Sequence, residues 1–153
     1  MQKKINIQNK KARFEYEILD KYVAGIQLTG TEIKSIRQSK ARITESFCEF
    51  NDRGELFIVN MYIQEYLYGH HFNHNPKSER RLLLNKRELR SLKKDVEAKG
   101  NTIVPLKLFI NDRGFAKLEI ALAKGKQTHD KRNVIKDRDN KRDLARIKKS
   151  FNS

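Results

Sequence analysis

The sequence predicts a mostly β fold: a small, closed antiparallel barrel with inserted helices and a basic C-terminal extension. Three observations point there. Apolar and polar residues alternate in several short runs, one turn sequence occurs twice between such runs, and two helix-start signals interrupt them.

Tyr22, Ala24, Ile26 and Leu28 form the first alternating run, the pattern of a half-buried strand. Thr29-Gly30-Thr31-Glu32 follows as a capping box, predicting a short helix to about Gln38 with Ile33 and Ile36 turned inward. Phe57, Val59, Met61 and Ile63 form a further run, with Leu56 and Ile58 hinting that its other face is also covered. Leu106, Leu108 and Ile110 alternate in the same way, as do Leu118, Ile120 and Leu122. Pro105 has no N–H, so its strand is expected to begin there or to lie on an edge.

Asn51-Asp52-Arg53-Gly54 and Asn111-Asp112-Arg113-Gly114 each sit between two strand-like runs. Asn and Asp start a tight turn through side-chain-to-backbone hydrogen bonds, and Gly supplies the positive φ that closes it. Two β-hairpins, over 44–63 and 102–123, are therefore expected. Asn85-Lys86-Arg87-Glu88 opens a second capped helix, with Leu89, Leu92 and Val96 on one face and Gly100 as the stop. Lys86, Arg87, Arg90, Lys93 and Lys94 cover the rest of that helix; such a run is ordinarily a solvated face. Residues 64–81 read as a loop. Short antiparallel strands with a helix or two in about 120 residues suggest an OB-type barrel, since closure removes sheet edges.

At 153 residues the chain is long enough for one domain with a real core. One cysteine, Cys48, excludes an internal disulfide framework and favours a reducing compartment. Met1 to Asn9 lacks the apolar core of a signal peptide, and no later stretch approaches a membrane span, so a cytoplasmic location is expected.

The net charge is +15, and it thickens at the end: residues 124–153 carry eleven Lys/Arg against four Asp. A basic tail on a basic domain is the electrostatic footprint of a polyanion binder, here a structured RNA. Asp137 with Lys141 and Asp139 with Arg142 would support a helix, lined by Leu144, Ile147 and Phe151. So short and charged a helix is marginal alone in water, so the tail is expected to be disordered when free and to fold on binding. Asn9-Lys10-Lys11-Ala12-Arg13-Phe14-Glu15-Tyr16 mixes cations with aromatics as the first strand approaches; the aromatics would stack on unpaired bases or fill the core.

Chemistry finds little support. Paired catalytic carboxylates, a Gly-rich phosphate loop and a nucleophile elbow are absent as motifs, and Ser46 and Cys48 have no evident partner base. His70-His71-Phe72-Asn73-His74 puts two imidazoles at i, i+4, which would share a metal only on a helix. Asn73 and Asn75-Pro76 argue for a loop instead. No metal, cofactor or enzymatic activity is expected.

Several segments, in one order, resemble a known family: Asn9-Lys10-Lys11-Ala12-Arg13, Ala24-Gly25-Ile26, Gly30-Thr31-Glu32-Ile33-Lys34-Ser35-Ile36-Arg37, Arg80-Arg81-Leu82-Leu83-Leu84, Ala123-Lys124-Gly125-Lys126 and His129-Asp130-Lys131-Arg132. The chain resembles SmpB, the bacterial tmRNA-binding or SsrA-binding protein, from about Asn9 to Ser153. The resemblance implies an OB-fold RNA-binding core over 1–123 and a tail over 124–153 that folds on the ribosome. It implies trans-translation, the rescue of ribosomes stalled on messages without a usable stop codon. The core would clamp the tRNA-like domain of tmRNA and stand in for its missing anticodon arm. The tail would enter the decoding centre and the vacant mRNA channel, with elongation factor Tu in the delivery complex.

Carried over by position, Asn9, Lys10, Arg13, Tyr16, Glu32, Lys34, Arg37, Arg80, Arg81, Lys124 and Lys126 would form or support the tmRNA face. Glu32 is unusual on an RNA surface; it would bond a base edge or 2′-hydroxyl, or orient neighbouring cations. In the tail, His129 would stack on a decoding-centre base, flanked by Asp130, Lys131 and Arg132. Lys136, Arg138, Arg142, Arg146, Ile147 and Lys148 would lie along the decoding centre and mRNA channel. Val23, Ser78 and Gln127 depart from the residues usual in the family. The competing reading is a structural ribosomal or ribosome-assembly protein with a basic extension.

Overall fold

The computed structural model describes residues 5–69, 73–97 and 100–126. Its elements run β1 (Asn6–Gln8), α1 (Lys10–Glu15), β2 (Tyr16–Ile26), α2 (Gly30–Arg37), β3 (Ala41–Arg42), β4 (Phe47–Phe50), β5 (Leu56–Val59), β6 (Tyr62–Ile63), β7 (Arg80–Leu83), α3 (Lys86–Val96), β8 (Asn101–Ile110) and β9 (Ala116–Gly125). Strands β8, β4, β5, β7, β2 and β9 are hydrogen-bonded in that order, and β9 pairs back to β8, which closes an antiparallel barrel. Strand β1 lies on the free edge of β8, and β3 with β6 forms a separate two-stranded ribbon.

Both expected hairpins are present, and their turns are built alike. Asn51 Oδ1 accepts from the N–H groups of Arg53 and Glu55 at 3.0 and 2.9 Å, and Asn111 Oδ1 accepts from Arg113 and Phe115 at 3.1 and 2.9 Å. Gly54 and Gly114 close the turns at φ of 78° and 86°, a region that β-carbon crowding denies to most residues. Both capping boxes form as well: Thr29 with Glu32 on α2, and Asn85 with Glu88 on α3.

The barrel core joins Ile26 and Ala24 of β2, Ile36 of α2, Leu56 and Ile58 of β5, Leu82 of β7, Leu92 of α3, Ile103 and Leu108 of β8, and Leu118 and Ile120 of β9. A second cluster on the outside of the β8–β9 hairpin joins Val104, Leu106, Ala121 and Ala123 to Ala12, with Tyr16 and Ile18 packed against it. Helix α1 thus covers an outer face of the barrel, so the middle of this hairpin is apolar on both sides.

The structure departs from the sequence reading at several places. The run from Phe57 to Ile63 is not one strand: Leu56 and Ile58 are fully buried while Phe57 and Val59 are half-buried, and the phase reverses at Asn60, whose φ is 65°. Asn tolerates that left-handed conformation, and the kink sends the chain from β5 into the β3–β6 ribbon. Pro105 lies inside β8, not at its start; it sits at the register shift between Pro105 and Lys107, after the pairing with β4 at Ile103 and before the pairing with β1 at Lys107. A bulge is where a strand tolerates the missing N–H. Residues 80 and 81 belong to strand β7 and not to a loop, and residues 10–15 form a helix ahead of the first long strand. Strand β9 also carries two residues beyond 123, so the core continues into the basic segment. The tail helix expected beyond it lies outside the described residues.

Candidate nucleic-acid interface

Helix α1 is short, and what positions it is Asn9. The residue is 3 % exposed, its Oδ1 caps the helix by accepting from the Ala12 N–H at 3.1 Å, and its Nδ2 donates to the Pro105 carbonyl at 3.0 Å. Its own N–H reaches the Leu106 carbonyl at 2.8 Å. Asn9 therefore fastens α1 to the bulge of β8. Buried this way, it holds α1 and its exposed cations in place.

Above that anchor, Lys10 and Arg13 are exposed on α1, and Tyr16 opens β2 opposite Gly125. Lys124 pairs with Glu17 and with Asn101, and the Lys126 N–H donates to the Glu15 carbonyl at 3.0 Å. The sheet register thus gathers Lys10, Arg13, Tyr16, Lys124 and Lys126 at one end of the barrel, where the chain leaves toward the tail. Arg13 lies 4.0 Å from Glu119 and Lys11 is paired with Glu45, whereas Lys10, Lys124 and Lys126 form no ion pair among the described residues. The Glu45 hydrogen bond and charge hold the Lys11 ammonium above its ordinary range. Tyr16 is half-buried against the second cluster, whereas Phe14 is 56 % exposed.

Lys34 and Arg37 are exposed on α2 at the other end. Arg37 Nη2 lies 4.0 Å from where a β-carbon would stand on Gly114, at the tip of the β8–β9 hairpin. From Ala116 to Lys124, β9 separates the two groups by roughly 25 Å of strand. Among the residues assigned to the tmRNA face by resemblance, the exposed cations on α1 and β9 and those on α2 thus lie in two separate groups.

The α2 patch includes residues that sequence reasoning missed. Lys34 Nζ stands 5.4 Å from the Tyr66 ring centroid, and Tyr68 meets Tyr66 edge-on at 5.6 Å. Arg42 lies over Tyr62 at 4.7 Å. Asn73 ties this loop down, accepting from the Tyr66 N–H at 3.0 Å and donating to its carbonyl at 2.7 Å. Tyr68 and Leu67 are left 66 % and 79 % exposed, which is the arrangement of a stacking platform beside cations. The interleaving of Tyr with Lys and Arg was the available signal, but Lys34 and Tyr66 meet only through the fold.

Glu32 and Arg80 are both inside the protein, at 3 % exposure each. The Arg80 Nε–H donates to Glu32 Oε2, Nη1 to the Met61 carbonyl at 2.7 Å, and Nη2 to the carbonyls of Asn75 and Pro76 at 3.1 Å each. Glu32 Oε1 meanwhile accepts from the Thr29 N–H at 2.9 Å in the capping box. Their polar atoms face one another and the backbone, and together they lock α2 to β7 and to the loop that carries Tyr66. Burial explains what looked unusual in the sequence, a carboxylate in a basic face.

Arg81 is exposed but paired with Glu55 at 2.9 Å, where β5 pairs with β7. A hydrogen bond from Asn51 and then the Arg81 charge hold the Glu55 carboxyl below its ordinary range. Val23 is 53 % exposed opposite Glu119. Ser78 is half-buried, its N–H donating to the Asn75 carbonyl at 3.3 Å. His74 has both ring nitrogens engaged, Nδ1 with the Thr31 hydroxyl and Nε2 with the Ile63 carbonyl, each at 2.9 Å. Among the described residues no group of His, Cys, Asp and Glu is placed to hold a metal, and burial pushes the Cys48 thiol up, away from the reactive thiolate. Gln127, His129, Asp130, Lys131, Arg132, Lys136, Arg138, Arg142, Arg146, Ile147 and Lys148 lie outside the described residues, as do His70 and His71.

The SmpB protein family model matches residues 6–150. SsrA-binding protein of Flavobacterium psychrophilum is 68 % identical over 151 residues, covering 99 % of this chain and 100 % of the relative. SsrA-binding protein of Bacteroides thetaiotaomicron is 53 % identical over 146 residues, 95 % of this chain and 97 % of the relative. The fold matches a solved chain at a TM-score of 0.69 and 46 % identity, covering 86 % of this chain and 94 % of that one; its structure is described as "tmRNA-SmpB: a journey to the center of the bacterial ribosome". A barrel closed by these strands, cations gathered where the basic segment begins, and a match running nearly end to end agree with one another: the chain belongs to the SmpB family.

Proposed function

We propose that this chain is a tmRNA-binding adaptor of trans-translation. The observation that carries the reading is the convergence of Lys10, Arg13, Tyr16, Lys124 and Lys126 at the root of the basic tail. Family relatives bear the name SsrA-binding protein, and the matched solved chain comes from a tmRNA–SmpB ribosome structure.

In this reading the barrel binds the tRNA-like domain through two patches. The α1–β9 patch supplies counterion release, and the α2 patch adds aromatic stacking by Tyr66 and Tyr68 next to Lys34 and Arg37. Asn9, Glu32 and Arg80 hold these surfaces in place. The segment over 124–153 continues from the first patch into the decoding centre and empty mRNA channel of the ribosome. His129, Asp130, Lys131 and Arg132 come first, then Lys136, Arg138 and Arg142, then Arg146, Ile147 and Lys148. Elongation factor Tu accompanies the complex during delivery. The chain itself makes and breaks no bond, and acts in the cytoplasm where ribosomes stall.

A reconstituted tagging assay tests this directly. Adding the chain to stalled ribosomes with charged tmRNA and elongation factor Tu should append the tmRNA-encoded tag to the nascent peptide. A chain that binds ribosomes yet supports no tagging would favour a structural ribosomal role instead.

A further inference from the structure

Helix α3 presents a third cationic surface that none of these assignments uses. Lys86, Arg87, Arg90, Lys93 and Lys94 are all exposed, and none forms an ion pair among the described residues. At 100° per residue the five fall within an arc of roughly 120°. Leu89, Leu92 and Val96 occupy the arc that faces the core, and Glu88 and Asp95 lie on the remaining side; Glu97, the C-cap, is the one acid on the cationic arc, at its C-terminal end.

That segregation is unfavourable for a merely solvated face. Lys86 with Arg90 and Arg90 with Lys94 are like-charge neighbours at i, i+4, and Arg87 with Arg90 and Arg90 with Lys93 at i, i+3. Such pairs destabilise a helix, whereas alternating Glu and Lys would stabilise it. A polyanion laid along the arc reverses the sign of the effect.

The surface lies at the barrel end from which the tail departs. Helix α3 returns to the sheet through Gly100, whose β-carbon position is 3.8 Å from the Lys124 side chain, and through Asn101, which pairs with Lys124. Asn101 Nδ2 also donates to the Asp95 carbonyl at 2.9 Å, tying the end of α3 to that strand. At the β4–β5 turn the Lys93 ammonium lies 3.8 Å from where a β-carbon would stand on Gly54, and Glu49 and Glu97 line the same hollow as Lys93 as local opposing charges. The arc contains no aromatic, Asn or Gln side chain, so it is suited to phosphates and not to reading bases.

We propose that this face of α3 grips the phosphate backbone of ribosomal RNA beside the tail's point of entry. The proposal rests on the adaptor reading for its choice of ribosomal RNA over tmRNA. The test uses the full chain carrying R90Q, K93Q and K94Q together, since Gln retains helix propensity. Binding to vacant ribosomes and to the isolated tRNA-like domain of tmRNA is measured across a salt series. Ribosome affinity should fall at least tenfold, with a salt slope shallower by about three. Affinity for the tRNA-like domain should change less than twofold, and R90K/K93R/K94R should behave as wild type. Unchanged ribosome binding with an unchanged melting temperature would show the arc to be a solvated face and overturn the proposal. An equal loss on the tRNA-like domain would overturn it in favour of tmRNA. Failure of the wild-type chain to prefer the tRNA-like domain over ordinary tRNA would instead strike the adaptor reading itself.

Discussion

Arg80 and Glu32 form an ion pair inside the protein, with side chains 2 % and 4 % exposed. Three backbone carbonyls accept from the two terminal nitrogens of the guanidinium, and the second carboxylate oxygen completes a helix cap. Removing one partner strands the other as an uncompensated buried charge, which costs about 3–5 kcal/mol. Arg80→Ala should therefore lower the melting temperature by roughly 10 °C in a domain of this size. RNA affinity measured well below that temperature should keep its salt slope. A loss of slope without loss of stability would place Arg80 on the RNA.

Asn9 and Lys10 are neighbours in sequence with opposite expected phenotypes. Asn9→Ala loses the cap of α1 and leaves the Pro105 carbonyl without its donor, so it should destabilise by about 1–2 kcal/mol. Lys10→Ala should leave the melting curve in place and lower the salt slope of RNA binding by about one. Melting and binding run side by side on the two variants decide this; the same phenotype in both would contradict the structure.

Arg37→Ala, in the α2 patch, should weaken RNA binding and reduce its salt slope by about one. Tyr68→Ala should weaken binding with the slope unchanged, since stacking releases no counterion. A Tyr68 variant that binds normally would remove the stacking platform from the account.

The Glu55–Arg81 pair on the barrel wall competes with any phosphate for Arg81. If Arg81 contacts RNA, Glu55→Gln should raise affinity about twofold to threefold, on the scale of an exposed pair. Glu55 has a depressed folded-state value, so its contribution to folding is present above the ordinary carboxylate range. It is lost as pH falls through the lowered value. Unaltered RNA affinity in the variant would leave Arg81 as part of the barrel's own surface pairing.

Deleting residues 130–153 should leave affinity for the tRNA-like domain within about threefold, because the patch cations are in the core. Tagging on stalled ribosomes should be abolished. Loss of tmRNA binding in that variant would refute the division of labour.

The parts of the fold that local rules govern were readable in the sequence. Both Asn-Asp-Arg-Gly turns and both capping boxes are determined within four or five residues, and the structure places them as expected. The phase reversal at Asn60 was hidden because an alternating run looks the same on either side of a kink. Strand β7 was hidden because Arg80 reads as a surface cation until Glu32, 48 residues earlier, is seen to neutralise it. For the same reason the resemblance named positions without separating exposed cations from buried supports. Burial alone distinguishes Asn9, Glu32 and Arg80 from Lys10, Lys34 and Arg37. The aromatic platform needed the fold to bring Tyr66 under Lys34.

The most direct test of the adaptor reading is RNA binding by the full chain at near-physiological salt. The tRNA-like domain of tmRNA and an ordinary elongator tRNA would be compared, each against excess unlabelled competitor. Tight binding that prefers the tRNA-like domain is the predicted result. Weak binding to both alike, falling steeply with salt, would mean that the charge is generic and would contradict the account.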